Sequence, residues 1–153
     1  MHPSYKSFDI PKINQPNYDL ALIAFDGKLP ADYKPTSWKG GFLPSEQSLW
    51  FYTAGYGISD EALADSGEIR FSRVTVEHSL FFQNQSFFSG PQTSSEAICK
   101  GDSGGPAFIR VDSEFRVVGI VSANQGTCTA GTFYFNQVDF YADWIEAARR
   151  ELN

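Results

Sequence analysis

Residues 101–106 give the clearest chemical signal in the chain, a serine set among glycines in the order Gly-Asp-Ser-Gly-Gly-Pro. A serine hydroxyl is a weak nucleophile and attacks a carbonyl only when a neighbouring base removes its proton. The oxyanion formed by that attack needs preorganised hydrogen-bond donors. Flanking glycines let the backbone turn sharply and point amide N–H groups inward. The pattern therefore predicts that Ser103 is a nucleophile rather than part of an ordinary turn before a strand.

The elements that must position Ser103 are mostly short strands. Apolar runs and alternating apolar positions predict strands at residues 18–25, 49–57, 68–77, 106–110, 115–123 and 132–138. The first run is almost continuously apolar, which is typical of a strand buried on both faces. The third predicted strand is expected to break at Ser72 and Arg73.

The period changes at Asp139, where apolar residues begin to recur about every four positions. This spacing predicts a C-terminal helix that Asp139 caps and whose apolar positions are Phe140, Trp144, Ala148 and Leu152. Many strands followed by one helix favour a β-barrel or a sandwich.

The segments between these elements are predicted to be loops. Residues 29–46 are rich in proline and contain two adjacent glycines, which indicates a crossing loop. Residues 60–68 are acidic but lack the carboxylate spacing of an EF-hand, so a solvated loop is expected rather than a cation site. Residues 81–88 mix phenylalanine with glutamine and asparagine and predict an irregular segment.

Composition excludes several classes of protein. The chain has 153 residues, of which 42% are hydrophobic and 20% charged, and this indicates a globular domain with its own core. A net charge of -6 argues against binding to nucleic acid. No apolar run approaches the ~18 residues of a membrane span, and the first ten residues do not resemble a signal peptide. No metal or cofactor is expected.

The serine motif resembles that of the chymotrypsin/trypsin-like serine protease family, and other segments resemble the family in the same order. The segment Asn17-Tyr18-Asp19-Leu20-Ala21-Leu22-Ile23 is similar to the family's Asp-Ile-Ala-Leu-Ile, and Thr53-Ala54-Gly55-Tyr56-Gly57 is similar to its Gly-Trp-Gly strand. The resemblance implies that Asp19 is the acid that orients the catalytic histidine. It also implies that the amides of Gly101 and Ser103 form the oxyanion hole.

The same resemblance implies a disulfide and a specificity pocket. Cys99 and Cys128 correspond to the cysteines that bridge this pocket, and such a bridge stabilises by roughly 3–4 kcal/mol. The implied pocket residues are Ala97 at the floor, Ser122, Ala123 and Asn124 along one wall, and Thr132. Without an aspartate at Ala97, cleavage after basic residues is not expected. Small or medium apolar side chains are favoured instead.

The resemblance also implies that the catalytic histidine lies upstream of this chain. His2 is followed by Pro3-Ser4-Tyr5, as in a stretch that often precedes the family's aspartate strand, and it is expected to be a surface residue; so is His78. Asp102 corresponds to an aspartate that pairs with an N-terminal ammonium after proteolytic activation. Without that ammonium we expect Asp102 to turn to solvent or to other donors, because a buried carboxylate without a partner is costly.

Taken together, these features predict an all-β, chymotrypsin-like fold. Residues 1–46 would form a residual part of the N-terminal barrel with the crossing loop, and residues 47–153 the complete C-terminal barrel with its helix. The expected function is serine endopeptidase action on a polypeptide substrate, with this chain alone inactive. The alternative is a non-catalytic protease homologue that acts as a binding module. Extracellular or periplasmic localisation follows from the resemblance, and exposed apolar faces predict docking of the missing barrel segment or self-association.

Overall fold

The computed structural model of the chain describes residues 1–5, 18–39, 49–76, 87–92 and 98–152. Six antiparallel strands form one sheet in the order β2-β1-β4-β5-β6-β3. They are β1 (Leu49–Gly55), β2 (Arg70–Val76), β3 (Phe87–Gln92), β4 (Pro106–Val111), β5 (Glu114–Thr127) and β6 (Ala130–Gln137). A 3-10 turn (Val138–Tyr141) then leads into the helix α1 (Ala142–Glu151).

The sheet curls on itself, so that β2 and β3, at the two ends of the strand order, lie against each other. Gly90 of β3 lies in this closed region, where a Cβ would come within 2.7 Å of the Phe133 ring on β6 and 3.2 Å of the Thr75 carbonyl oxygen on β2. The interior is filled by buried apolar side chains, the largest being Phe51, Phe133 and Phe135. Removing these side chains from water is the main force that holds the barrel together.

A second, smaller core joins α1 to the outside of the barrel. Leu20, Tyr141 and Ile145 are buried in it, and Trp38 and Trp144 pack against them. The buried positions of the helical region are therefore Val138, Tyr141 and Ile145 rather than the predicted Phe140 and Leu152, which are exposed. Asp139 makes no side-chain cap, because the chain enters α1 through the 3-10 turn instead.

The prediction of a buried strand at residues 18–25 is wrong. This segment forms no strand, and only Leu20 in it is buried; the side chains of Ile23 and Phe25 are 85% and 66% exposed. A strand needs a neighbour to accept and donate its backbone hydrogen bonds, and no described residue pairs with this segment in a ladder. Its apolar sequence therefore faces solvent in this structure.

The other predicted strands are all present in the structure. Predicted strands overlap β1, β2, β4, β5 and β6, while β3 was missed and begins within the segment expected to be irregular. The expected break in β2 is absent, since Ser72 and Arg73 pair in register with Thr53 and Tyr52. Residues 60–68 form turns, as predicted. Within the described part of the chain, no helix is long and apolar enough to cross a membrane.

Candidate active site

Ser103 lies exposed at the tip of a tight turn between Cys99 and β4. Gly101 and Gly104 in this turn have φ angles of 99° and 83°, a region that glycine adopts without strain. The C-terminal end of the turn is fastened to β5: the Gly104 N–H donates to the Val121 carbonyl (2.9 Å), and the Val121 N–H donates to the Gly105 carbonyl (2.8 Å). Rigid attachment to a central strand fixes where the hydroxyl of Ser103 stands.

The amides predicted for the oxyanion hole belong to this turn. The neighbouring amides already donate hydrogen bonds within the turn: the Asp102 N–H donates to the Cys99 carbonyl, and the Gly105 N–H donates to the Asp102 carbonyl. Among the hydrogen bonds of the described residues, none uses the N–H of Gly101 or of Ser103. These two donors are available to an incoming carbonyl oxygen, as oxyanion stabilisation requires.

Asp19 stands at the centre of a three-residue γ-turn, in which the Leu20 N–H donates to the Tyr18 carbonyl (2.9 Å). Tyr18 has a φ of 53°, which is uncommon for a bulky residue and is often found at functional sites. The turn is held by Tyr18, whose N–H donates to the hydroxyl of Tyr141 at 3.1 Å. This local geometry, rather than a strand, directs the Asp19 carboxylate.

The carboxylate of Asp19 reaches β5, where the hydroxyl of Ser122 donates to its Oδ2 at 2.7 Å. The backbone of Asp19 is held from β6, because Nδ2 of the fully buried Asn136 donates to its carbonyl oxygen at 2.7 Å. Two strands of the barrel thus fix Asp19 through bonds to its side chain and its main chain.

A cavity of about 250 Å³ brings the predicted residues together. Ser103 lines it with Ser122, Ala123 and Asn124, all three of which were predicted as pocket residues. Thr132, the fourth described member of that prediction, does not line this cavity and pairs with Gln125 in the ladder between β5 and β6. Ala97 and His78 lie outside the described residues.

Asp102 turns away from this cavity and is bound by backbone amides. Its Oδ1 accepts from the Gly57 N–H (2.8 Å) and its Oδ2 from the Cys99 N–H (2.9 Å), and no ion pair of the described residues involves it. This agrees with the expectation that it finds donors other than an ammonium. A Cβ on Gly55 would overlap Asp102 Oδ1, which explains why glycine is needed there.

A polar cluster supports Gly57 from the other side. Arg70 donates through Nη1 to the Gly57 carbonyl (2.9 Å) and through Nη2 to Asp65 Oδ2 (2.9 Å). The pKa of Asp65 lies below its ordinary value, chiefly because the Ser59 hydroxyl and N–H donate hydrogen bonds to it and also because of Arg70. Such donors favour the charged form of a carboxylate.

Cys99 and Cys128 form a disulfide, with Cα atoms 4.9 Å apart. The bond joins the start of the Ser103 turn to the connection between β5 and β6, so it closes the cavity wall as the resemblance implied. Both cysteines are buried. The pairing predicted from the sequence is confirmed.

His2, the one histidine among the described residues, is not in position to act on Ser103. Its ring stacks on Tyr18 (4.5 Å between centroids) and packs against Trp144 (4.7 Å), and its Nδ1 accepts from the Ser4 N–H. His2 is therefore half-buried in an aromatic cluster rather than a simple surface residue. Burial lowers its pKa, and the positive N terminus adds to the effect.

Two residues of the site were not anticipated from the sequence. Lys100 lines the cavity of Ser103, and its place between a cysteine and the serine motif was the signal that could have revealed it. Asn136 supports Asp19 from the middle of an apolar strand, where an asparagine fully removed from solvent suggests a specific partner.

Comparison with known proteins identifies the family. The family model described as Trypsin matches residues 1–145. The chain belongs to the trypsin family. Its antiparallel barrel and C-terminal helix are the chymotrypsin-like fold that the sequence predicted, and peptidase activity is a property of this trypsin-like serine protease family.

Individual relatives are more distant. The chain is 30% identical to complement C1r-A subcomponent of Mus musculus over 174 aligned residues, covering 100% of this chain and 23% of that protein. It is 24% identical to complement C1r subcomponent-like protein of Mus musculus, covering 95% and 33%, and 23% identical to spermosin of Halocynthia roretzi, covering 84% and 36%. This trypsin-family chain thus spans about a third or less of the length of these relatives.

Proposed function

We propose that this trypsin-family chain is part of a serine endopeptidase that hydrolyses peptide bonds through an acyl-enzyme on Ser103. The Ser103 hydroxyl attacks the scissile carbonyl while a histidine takes its proton, and the oxyanion binds the amides of Gly101 and Ser103. The amine then leaves with that proton, and water releases the acyl group by the reverse sequence.

One observation carries this proposal. Asp19 and Ser103 are distant in sequence, yet the hydroxyl bonded to Asp19 belongs to Ser122, which lines the same cavity as Ser103. A carboxylate bonded to the wall of a cavity that holds a nucleophile supports the arrangement that an intervening histidine needs. Asp19 takes the role of the acid that orients this histidine.

The base comes from outside the described residues. The ring of His2 is held by Tyr18, Trp144 and the Ser4 N–H, and leaving this cluster would expose apolar surface. We therefore expect the 153-residue chain alone to be inactive. A first-barrel segment carrying a histidine would pack where Ile23 and Phe25 are exposed, and self-association through the same residues is the alternative fate of this surface.

Activation would involve Asp102. A cavity of about 170 Å³ adjoins its side chain and is lined in part by Ile58, Ser72 and Ile98. An N-terminal ammonium entering this cavity would pair with the carboxylate, and the amides of Gly57 and Cys99 would then share it. The Ser103 turn follows Asp102 directly, so such a pairing would set the position of the oxyanion donors.

Substrate would also occupy a second cavity, of about 440 Å³, that includes Ser103 and is mostly apolar.

We also propose that the chain divides into a residual part of the N-terminal barrel at residues 1–46 and the C-terminal barrel at residues 47–153. Secretion is likewise proposed, supported by the disulfide, since such bonds persist in oxidising compartments.

A fluorophosphonate probe and a protease assay test the function. The full natural chain is expected to react covalently at Ser103 and to hydrolyse an unfolded protein, and Ser103→Ala should abolish both. The 153-residue chain by itself should show neither. A full natural chain that folds but neither labels nor cleaves would favour a non-catalytic binding module instead.

A further inference from the structure

Lys100 occupies a fixed place at the cavity of Ser103. Its carbonyl oxygen accepts a hydrogen bond from the Ile58 N–H at 3.0 Å, and the preceding residue, Cys99, is held by the disulfide. The carbonyl of Lys100 and the residue before it are thus both anchored, and Lys100 is exposed and lines the cavity together with Ser103.

The charge of Lys100 is not balanced by any described neighbour. The ion pairs of the described residues use the cations Lys39, Arg70 and Arg149 but not Lys100. No residue that lines the cavity in the described part of the chain is acidic. This cavity therefore carries a positive charge in a chain whose net charge is -6.

The polar groups of the cavity match one kind of ligand. The hydroxyl of Ser122 already donates to Asp19, and the hydroxyl and N–H of Ser103 are assigned to the reacting carbonyl group. The remaining polar side chains of the cavity belong to Lys100 and Asn124, both exposed, and both can donate to an incoming group. An ammonium and an amide N–H together suit the two oxygens of a carboxylate, and charge-assisted bonds of this type are stronger than neutral ones.

From these contacts we propose that the cavity beside Ser103 selects a substrate side chain that ends in a carboxylate, aspartate or glutamate, through Lys100 with help from Asn124. This inference rests on the proposed peptidase function and names its substrate class. It differs from the sequence expectation of small or medium apolar side chains, which considered the walls of the pocket but not the charge at Lys100.

Peptide binding tests this selectivity without requiring catalysis. The full natural chain carrying Ser103→Ala is titrated with dye-labelled, end-capped peptides that differ at one central residue, aspartate, asparagine or valine, and binding is followed by fluorescence anisotropy. The aspartate peptide is expected to bind about fivefold more tightly than the asparagine peptide, the effect of a partly solvated ion pair of ~1 kcal/mol. High salt should reduce this preference.

Variants assign the effect to Lys100. Lys100→Gln should remove the preference for aspartate and Lys100→Glu should reverse it, whereas Lys34→Gln, at an exposed lysine elsewhere in the chain, should leave it unchanged. Equal binding of the aspartate and asparagine peptides, tightest binding of the valine peptide, or no binding of any peptide would overturn the inference.

Hydrolysis of the same peptides by the protein with Ser103 intact separates the two proposals. Binding selective for aspartate without cleavage would leave the charged cavity in place and reject the peptidase function. Cleavage of all three peptides at equal rates would support the peptidase function and reject the role of Lys100.

Discussion

The hydroxyl of Ser122 donates a 2.7 Å hydrogen bond to Oδ2 of Asp19 across 103 positions of sequence. This bond ties a segment without regular secondary structure to the central strand β5. Because Ser122 also lines the cavity of Ser103, it connects Asp19 to the wall of that cavity.

Ser122→Ala should lower the free energy of unfolding by about 1.5–3 kcal/mol, the range for a hydrogen bond to a charged group. Urea unfolding of the single variants and of a double variant with Asp19→Ala measures the coupling between the two side chains. Strictly additive effects in this cycle would show that the bond contributes nothing to stability.

Asn136→Ala should destabilise the fold by about 1–3 kcal/mol, since it removes the buried amide that serves the Asp19 carbonyl. The matched control is Asn124→Ala, at an exposed asparagine on the neighbouring strand, which should change stability by less than about 0.5 kcal/mol. Urea unfolding of the two variants makes the comparison. Similar losses would mean that the bond to Asp19 is not what Asn136 supplies.

Gly55→Ala should destabilise by roughly 1–3 kcal/mol, because the added methyl group overlaps the carboxylate of Asp102. Most of this loss should disappear in an Asp102→Ala background, where the overlapping oxygen is gone. As a control, Gly27→Ala is strained by its φ of 110° but meets no atom within 4 Å, so its cost should simply add to that of Asp102→Ala. An unrelieved Gly55→Ala defect in the double variant would contradict this account.

The stability of the protein should fall as the pH decreases through 6.5, in part because of His2. Its pKa in the folded state lies below the ordinary 6.5, first because burial disfavours the charged ring and then because the N terminus is positive. The unfolded chain then binds the proton more readily, so acid favours unfolding.

Replacement of His2 measures its share of this effect. The loss of stability between about pH 7.5 and 5.5 should be smaller in His2→Gln than in the wild type. Urea unfolding at the two pH values provides the measurement. An unchanged loss would show that protonation of the His2 ring is not linked to folding.

The strands of the barrel could be predicted because their apolar residues alternate against a core that lies within this chain. β3 was missed because its neighbourhood mixes phenylalanine with amides and Pro91 stands inside the strand. Proline is tolerated there because β3 pairs only with β6 in the strand order. The strand predicted at residues 18–25 is absent for a different reason. An apolar pattern indicates a preference for burial, but it does not show whether a neighbouring strand is present to pair with it.

The residues of the candidate site also divide into those that the sequence predicts and those that it does not. Ser103, Ser122 and the disulfide could be predicted because a motif specifies them. The places of Asn136 and Lys100 in the site depend on contacts made only after folding. Asn136 donates from β6 to the Asp19 carbonyl, and Lys100 lines the cavity of Ser103. Thr132 pairs with Gln125 rather than lining the cavity, and the ladder between β5 and β6 has a register shift between Val121 and Ala123 that no residue spacing reveals.

The disulfide between Cys99 and Cys128 bears on how this scaffold can change over evolution or by design. Cys99 lines the cavity of Ser103, and the bond ties it to Cys128, which follows the strand that carries Ser122, Ala123 and Asn124. The crosslink therefore restrains the span of the cavity, while most of its chemical lining is set by other residues. Wall side chains can be exchanged one at a time while the span between them persists, which makes selectivity separable from architecture.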